Sequence, residues 1–314
     1  MKSLSYASLE QIDWPEDIFI EGGLLSRGDT MLIAADSKAG KSTFICGLMR
    51  QIITGGNFLG FKVTRPLKVF YMQAELRERR LKERLMPTYS SLSDEYKRNI
   101  YIWSTRGLVM LNENTKEIEA ELMQVRPDIL VIDPMLNFHN LNENNAQEMA
   151  TFFRYLDHIK EQHDMAIIMA HHFRKASQDP KAKSSLLESM RGSTALRGWA
   201  VTTIAMEGRG NGEYRELEFD LRNSDESLKR VIKYNKTTKD FDWHDPVAIV
   251  YEWAKKYLTT CQPSVGQFVE AMKAAHHELL SNNHSRAFNV KKELMNTKLI
   301  YTTTKGKTHI VHLT

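Results

Sequence analysis

The sequence is poor in cysteine, with only Cys46 and Cys261 in a chain of 314 residues. Two distant cysteines provide neither a disulfide framework nor the close spacing of a metal site. No run of about eighteen apolar residues occurs, which excludes a transmembrane helix. The first residues also lack the apolar stretch of a signal peptide. We therefore expect a protein of the reducing cytoplasm that has no membrane partner.

The chain also has little net charge, since 43 Lys and Arg nearly balance 39 Asp and Glu. The excess lies at the carboxyl end, where residues 251–314 carry nine basic and four acidic side chains. A neutral body with a basic tail is typical of a separate module that contacts an anionic partner. A basic surface that serves only solubility has the same composition, and both interpretations remain open.

The segment 35–42, which reads Ala-Asp-Ser-Lys-Ala-Gly-Lys-Ser, predicts a phosphate-binding loop. It lies between an apolar strand at 29–34 and a helix with an apolar face at 43–53. A strand, a tight loop and a helix start together direct backbone N–H groups at an anion. We expect the loop to bind the phosphates of ATP through eight residues: Asp36, Ser37, Lys38, Ala39, Gly40, Lys41, Ser42 and Thr43.

Individual positions of this loop have distinct roles in such sites. The Lys41 ammonium reaches the β- and γ-phosphates, and the Ser42 hydroxyl binds Mg²⁺. Ala35 occupies the first position of the pattern, where glycine is usual, whereas Gly40 lies where the backbone approaches phosphate most closely. A chance match without a ligand is the alternative interpretation.

Hydrolysis needs two acidic groups beside the loop, one for the metal and one to orient or deprotonate water. Asp133 ends the most apolar strand of the chain and precedes Pro134. A carboxylate at the end of a buried strand needs a cation, so we assign Asp133 to Mg²⁺, with a turn cap as the alternative. Glu75 follows the strand at 69–74 and is the candidate base. Its alternative role is a favourable charge in the first turn of a helix.

Two adjacent histidines, His171 and His172, end the strand at 165–170. Neighbouring residues of a strand point to opposite faces, so at most one of them contacts the site. We take His172 as the candidate that contacts the γ-phosphate and relays its presence to the following loop. A strand-end histidine without such a role fits the sequence equally well.

Strand-like and helical segments alternate over most of the chain, which predicts an α/β fold with a mostly parallel central sheet. Three later strands have short turns between them and predict an antiparallel extension of that sheet. These strands are expected at 199–206, 214–221 and 229–234.

The strand pattern ends near residue 245, which divides the chain into an ATPase domain at 1–245 and a smaller domain at 246–314. The smaller domain has two predicted helices and then a hairpin with a basic tip at 305–307. This order is typical of a winged helix. A small dimerisation domain is the alternative.

Six motifs in order resemble the RepA-type hexameric replicative helicases of plasmids and other mobile elements, and more broadly the RecA-like P-loop ATPases. The resemblance covers about residues 10–235. It implies a RecA-like P-loop core. The motifs are the phosphate-binding loop, Gln73-Ala74-Glu75, the strand that ends in Asp133-Pro134, the segment 138–145, the histidine pair and the segment 191–198.

The resemblance implies a ring, expected to be a hexamer, in which ATP binds between subunits and an arginine of the neighbour completes the site. Arg191 and Arg197 are the candidates, and Arg197 is preferred. A surface salt bridge and a role in shaping the loop are the alternatives. In RecA-like motors the loops after such strands grip single-stranded DNA. Segment 174–185, with four basic residues, is placed to do so, or it is a solvated surface loop.

These inferences together predict an ATP-hydrolysing DNA helicase that acts in the replication of a plasmid or other mobile element. The alternative is an ATP-dependent regulator that oligomerises on DNA or on a protein partner without unwinding. A kinase or small-molecule transferase is more distant, because no acceptor pocket is visible in the sequence.

Overall fold

The fold is described here from a computed structural model. The structure describes residues 5–12, 17–36, 38–104, 107–111, 115–143, 145–172, 186–189, 194–209, 213–222, 228–243, 246–276, 280, 284–296, 299–305 and 308–313. Within these ranges, no helix has both the length and the apolar character needed to cross a membrane.

The strands, in chain order, are β1 (Ile18–Ile20), β2 (Leu25–Ser26), β3 (Thr30–Ala35), β4 (Asn57–Phe58), β5 (Phe61–Lys62), β6 (Val69–Gln73), β7 (Ile100–Ser104), β8 (Ile129–Asp133), β9 (Ala166–His172), β10 (Thr202–Arg209), β11 (Tyr214–Leu221), β12 (Leu228–Asn235), β13 (Asp240–Trp243), β14 (Ile300–Lys305) and β15 (Thr308–Leu313).

The helices are α1 (Tyr6–Leu9), α2 (Lys41–Thr54), α3 (Glu78–Tyr89), α4 (Asp94–Lys97), α5 (Thr115–Val125), α6 (Ala146–His163), α7 (Leu186–Ser189), α8 (Thr194–Trp199), α9 (Pro246–Thr260), α10 (Val265–Ala275) and α11 (His284–Asn296). A short 3-10 helix at Met135–Phe138 follows β8.

Nine of the described strands form one sheet in the order β13-β12-β11-β10-β3-β9-β8-β6-β7. The six strands from β10 to β7 pair in parallel, and β11, β12 and β13 continue the sheet in antiparallel pairing. Strands β3, β6 and β8 are buried along their whole length, which explains their continuous apolar sequences. The predicted α/β fold with a mostly parallel sheet is confirmed.

The first of the three strands predicted as antiparallel is different in the structure. Its expected first residue, Trp199, lies in α8, where its ring stacks on Phe153 at 5.0 Å and its Nε1 donates to Asp157. Helix α8 then leads into β10, which pairs with β3 in parallel. A helical connection returns the chain in the direction of the earlier strand, whereas a tight turn would have reversed it.

Apolar side chains cover the sheet on both faces. On one face, side chains of α2 such as Phe44 and Leu48 pack in one cluster with Ile33 of β3 and Ile168 of β9. On the other face, α5 and α6 pack on the alternate residues of the same strands. Because both faces are covered, the loops that carry chemistry lie at the strand ends.

The carboxyl ends of four central strands meet at one edge of the sheet. In the pairing register, Ala35 at the end of β3 lies beside His172 at the end of β9. Gln73 at the end of β6 lies beside Asp133 at the end of β8. The phosphate-binding loop, Glu75, Asp133 and His172 therefore share this edge.

Residues 246–313 contain a third apolar cluster whose members all come from this part of the chain. It is built by α9, α10, α11 and the β14–β15 hairpin. Helix α9 is an addition to the sequence prediction, which places the two helices of this part of the chain at 265–280 and 286–295. Between α9 and α10, Ser264 bridges to Ile310 of β15, and the Val311 N–H donates to the Pro263 carbonyl at 3.0 Å.

Candidate active site

The loop between β3 and α2 is compact. Gly40 has a φ of 96° and precedes the first residue of α2, Lys41. Because the first N–H groups of a helix have no partner within the helix, the start of α2 can bind an anion. Ala39 is buried, Lys38 is exposed, and Asp36, Ser42 and Thr43 are half-buried around this opening. Ser37 lies outside the described residues.

Lys41 is the best-fixed cation of the site. Its Nζ donates to the His171 carbonyl at 2.9 Å and lies 3.1 Å from Nδ1 of His172. Burial lowers the pKa of Lys41 to about 8, and the charges of Asp133 and Glu75 oppose this shift. The side chain therefore remains mostly protonated near neutral pH, as a phosphate ligand must be.

Asp133 lies at the end of β8 and is 2% exposed. Its Oδ2 accepts a hydrogen bond of 2.9 Å from the Tyr71 hydroxyl, whereas Oδ1 is buried without a hydrogen-bond partner. A buried carboxylate oxygen with no donor fits a cation that reaches it from the phosphate side. Burial and the Asp133 charge raise the pKa of Tyr71 well above its usual value, so this hydroxyl stays a donor.

Glu75 lies in the turn after β6, three residues before α3 begins at Glu78. The alternative role of a charge in the first helical turn therefore belongs to Glu78. The buried Gln73 amide shapes this turn, because its Oε1 accepts from the Glu75 N–H at 2.7 Å. Glu75 is exposed at the opening of the site, where water can reach it.

The two histidines at the end of β9 point in different directions. His172 faces Lys41, whereas Nδ1 of His171 lies 3.7 Å from Oε1 of Glu143. Burial, then the neighbouring charge of Lys41, lowers the pKa of His171 to about 4, and the pKa of His172 is lowered for the same reasons. Both rings are neutral near pH 7, so Nδ1 of His172 can accept a hydrogen bond from Lys41 while its Nε2–H can donate one to a phosphate oxygen.

These side chains surround a cavity of about 290 Å³. It is lined by Asp36, Lys38, Gly40, Lys41, Ser42, Thr43, Glu75, Arg84, Asp133 and His172. Arg84 had not been predicted. It is half-buried on α3, between the buried Leu81 and Leu85 in sequence. A basic residue beside the apolar face of a helix was the only local sequence feature that could have indicated its place in the cavity.

Three other predicted contacts fall wholly or partly outside the described residues. Arg191 and the basic segment 174–185 lie outside them. The backbone of Arg197 belongs to α8, but its side chain is not described. The neighbouring Leu196 is buried in the core.

Comparison with known proteins adds a family match and a similarity to solved structures. Residues 4–178 match the sequence model of a family described as the AAA domain. Among solved structures, the ATPase domain of G40P aligns with a TM-score of 0.54 and 15% sequence identity, over 70% of this chain and 86% of that one. At this identity the similarity establishes a shared fold. No curated protein sequence matches the chain significantly.

Proposed function

The chain belongs to the AAA domain family, and from this premise we propose that it is an ATP-driven motor that forms a ring on DNA. More specifically, we propose that it is a helicase of the RepA type that serves replication of a plasmid or other mobile element. One observation supports the ATPase part of the proposal above the others: Lys41 at the start of α2, Asp133 at the end of β8 and Glu75 after β6 line one cavity. Cation, metal ligand and base are the three groups that ATP hydrolysis requires.

The residues divide the chemistry among themselves. Backbone N–H groups at the start of α2 and the Lys41 ammonium bind the β- and γ-phosphates. Ser42 and Asp133 would hold Mg²⁺, which supplies positive charge at the phosphate oxygens. Glu75, exposed to water, orients the attacking water and accepts its proton. His172, beside Lys41, is the residue that contacts the γ-phosphate from β9.

Subunit contacts complete the proposed site. An arginine from the neighbouring subunit stabilises the charge that develops on the transferred phosphoryl group. Arg197 is preferred over Arg191 for this role. The segment 174–185 directly follows His172 and supplies basic side chains for single-stranded DNA. In this proposal the state of the γ-phosphate is passed through His172 to the segment that follows it in the sequence.

Mass measurement with and without nucleotide, followed by a forked-duplex assay, tests the motor. We expect ATP to drive assembly of six copies and the assembly to separate the strands of the fork. Lys62→Ala removes a positive charge from a β5 side chain that is 66% exposed. This control variant should assemble and separate the strands as the wild type does. Assembly without strand separation would favour the regulator. A protein that hydrolyses ATP only as a monomer would contradict the ring.

The carboxyl-terminal unit is proposed to be a winged-helix-like domain, residues 246–314, that binds duplex DNA. The order of three helices and a hairpin, with a bridge from Ser264 to the second strand of the hairpin, supports this proposal. The excess of basic residues in this part of the chain supports an anionic partner.

Lys305 and Lys307 belong to the predicted basic tip, but Lys307 and the side chain of Lys305 lie outside the described residues. Replacement of both lysines, Lys305→Ala with Lys307→Ala, should weaken duplex binding and leave basal ATP hydrolysis unchanged. If each lysine contacts one phosphate, the slope of log K against log salt should fall by about two. The control pair is Lys255→Ala with Lys256→Ala on α9. Equal loss of affinity and slope in both pairs would show that the hairpin tip has no special role.

A further inference from the structure

The backbone of the phosphate-binding loop has an unfavourable conformation. Contacts from outside the loop must therefore hold it in place. Lys38 adopts a φ of 65°, a conformation that side chains other than glycine rarely take. Within the described part of the loop, the Ala39 N–H donates to the Asp36 carbonyl at 3.2 Å. Strained segments of this kind persist where the surrounding structure fixes them.

Arg215 of β11 provides such a contact from a distant part of the chain. Its Nε donates a hydrogen bond to the Ala39 carbonyl. The guanidinium carbon lies 5.7 Å from the ring centre of Phe241 on β13. That ring packs edge-on against Phe44 of α2 and Tyr234 of β12. The arginine is thus supported by the antiparallel extension of the sheet.

The geometry of the peptide group gives this hydrogen bond a consequence at the phosphate. In a planar trans peptide, the carbonyl of one residue and the N–H of the next point in opposite directions. A carbonyl of Ala39 held toward Arg215 therefore directs the Gly40 N–H away from Arg215. Gly40 lines the phosphate cavity, so this N–H is one of the donors available to the anion.

Phe241 restricts the same peptide beside Arg215. A Cβ on Gly40 would lie 3.0 Å from the Phe241 ring, and the φ of Gly40 also disfavours a side chain. The extension therefore contacts both residues of the peptide that joins the loop to α2.

We propose that Arg215, supported by Phe241, is a positioning residue that fixes the Ala39–Gly40 peptide in the orientation that binds nucleotide phosphates. The inference rests on the proposed ATPase function. It assigns to the antiparallel extension of the sheet a direct influence on nucleotide affinity. Movement of that extension would change the grip on the phosphates.

Four single variants of the full chain test this role. Arg215→Met keeps an unbranched chain as far as the position of Nε and removes every donor. Arg215→Gln places an amide nitrogen where the arginine Nε lies but carries no charge, and Arg215→Lys keeps the charge without a donor at that position. Arg230→Met is the control, because Arg230 also packs on a ring of the extension, Trp243 at 5.0 Å, in the same sheet.

Loss of a hydrogen bond from a charged donor should raise the Kd for a fluorescent ATP analogue, and the KM for ATP, about tenfold in Arg215→Met. We expect kcat to remain within about twofold, because bound nucleotide restores the loop. Arg215→Gln should recover most of the affinity, Arg215→Lys should recover less, and Arg230→Met should match the wild type.

Wild-type affinity in Arg215→Met, or rescue by lysine with none by glutamine, would overturn the inference. If Arg215→Met does not fold, as judged by thermal unfolding, the comparison of the glutamine and lysine variants decides. Failure of the proposed function has a different signature, since the wild-type protein would then bind no nucleotide.

Discussion

Lys41→Ala should abolish nucleotide binding and turnover. Lys41 is 5% exposed and its ammonium is held by the His171 carbonyl and His172, so the substitution removes a fixed cation from the phosphate site. The ammonium and the bound phosphates form a buried charge pair. Loss of the ammonium is expected to weaken nucleotide affinity about 100-fold or more. Titration with a fluorescent ADP analogue measures this loss, and phosphate release measures the turnover.

The control for this variant is Lys62→Ala, which removes the same charge from an exposed side chain of β5. The fold should survive in Lys41→Ala, because the substitution also removes a desolvated charge from the interior. A folded Lys41→Ala protein whose affinity lies within about threefold of the wild type would exclude this loop as the phosphate site.

Glu75→Gln should bind ATP normally and lose about 100-fold or more in kcat, the usual effect of losing a general base. Glutamine keeps the shape of the side chain, and the Gln73 amide that accepts from the Glu75 N–H is untouched. Binding and turnover are measured with the same two assays. Because only the proton-accepting group is lost, KM should change little.

Glu78→Gln is the matched control, since Glu78 lies three residues further on in the first turn of α3. It should hydrolyse ATP at the wild-type rate. If Glu75→Gln turned over as fast as Glu78→Gln, the base would lie elsewhere in the cavity.

The parts of the site that lie on continuous segments could be predicted from the sequence. The phosphate-binding loop needs a strand, a loop and a helix in succession, and β3 and α2 flank it as expected. Asp133 and Glu75 follow apolar strands, and parallel strands bring their carboxyl ends to one edge. Their grouping was therefore predictable, although their roles remain predictions.

Residues that act through distant contacts could not be predicted. Tyr71 hydrogen-bonds Asp133 across 62 positions of sequence, and Arg215 contacts Ala39 across 176. Nothing beside Tyr71 or Arg215 in the sequence distinguishes them from ordinary residues of a strand. The parallel pairing of β10 was missed for a similar reason, because helix α8 is too short to show a clear period.

We propose above all that this site hydrolyses ATP in response to DNA. The most direct measurement is phosphate release from ATP with Mg²⁺ by the wild-type protein, with and without single-stranded DNA, against Lys41→Ala as the blank. We predict turnover above the blank that rises when DNA is added. Turnover equal to the blank under both conditions would show that this site does not hydrolyse ATP.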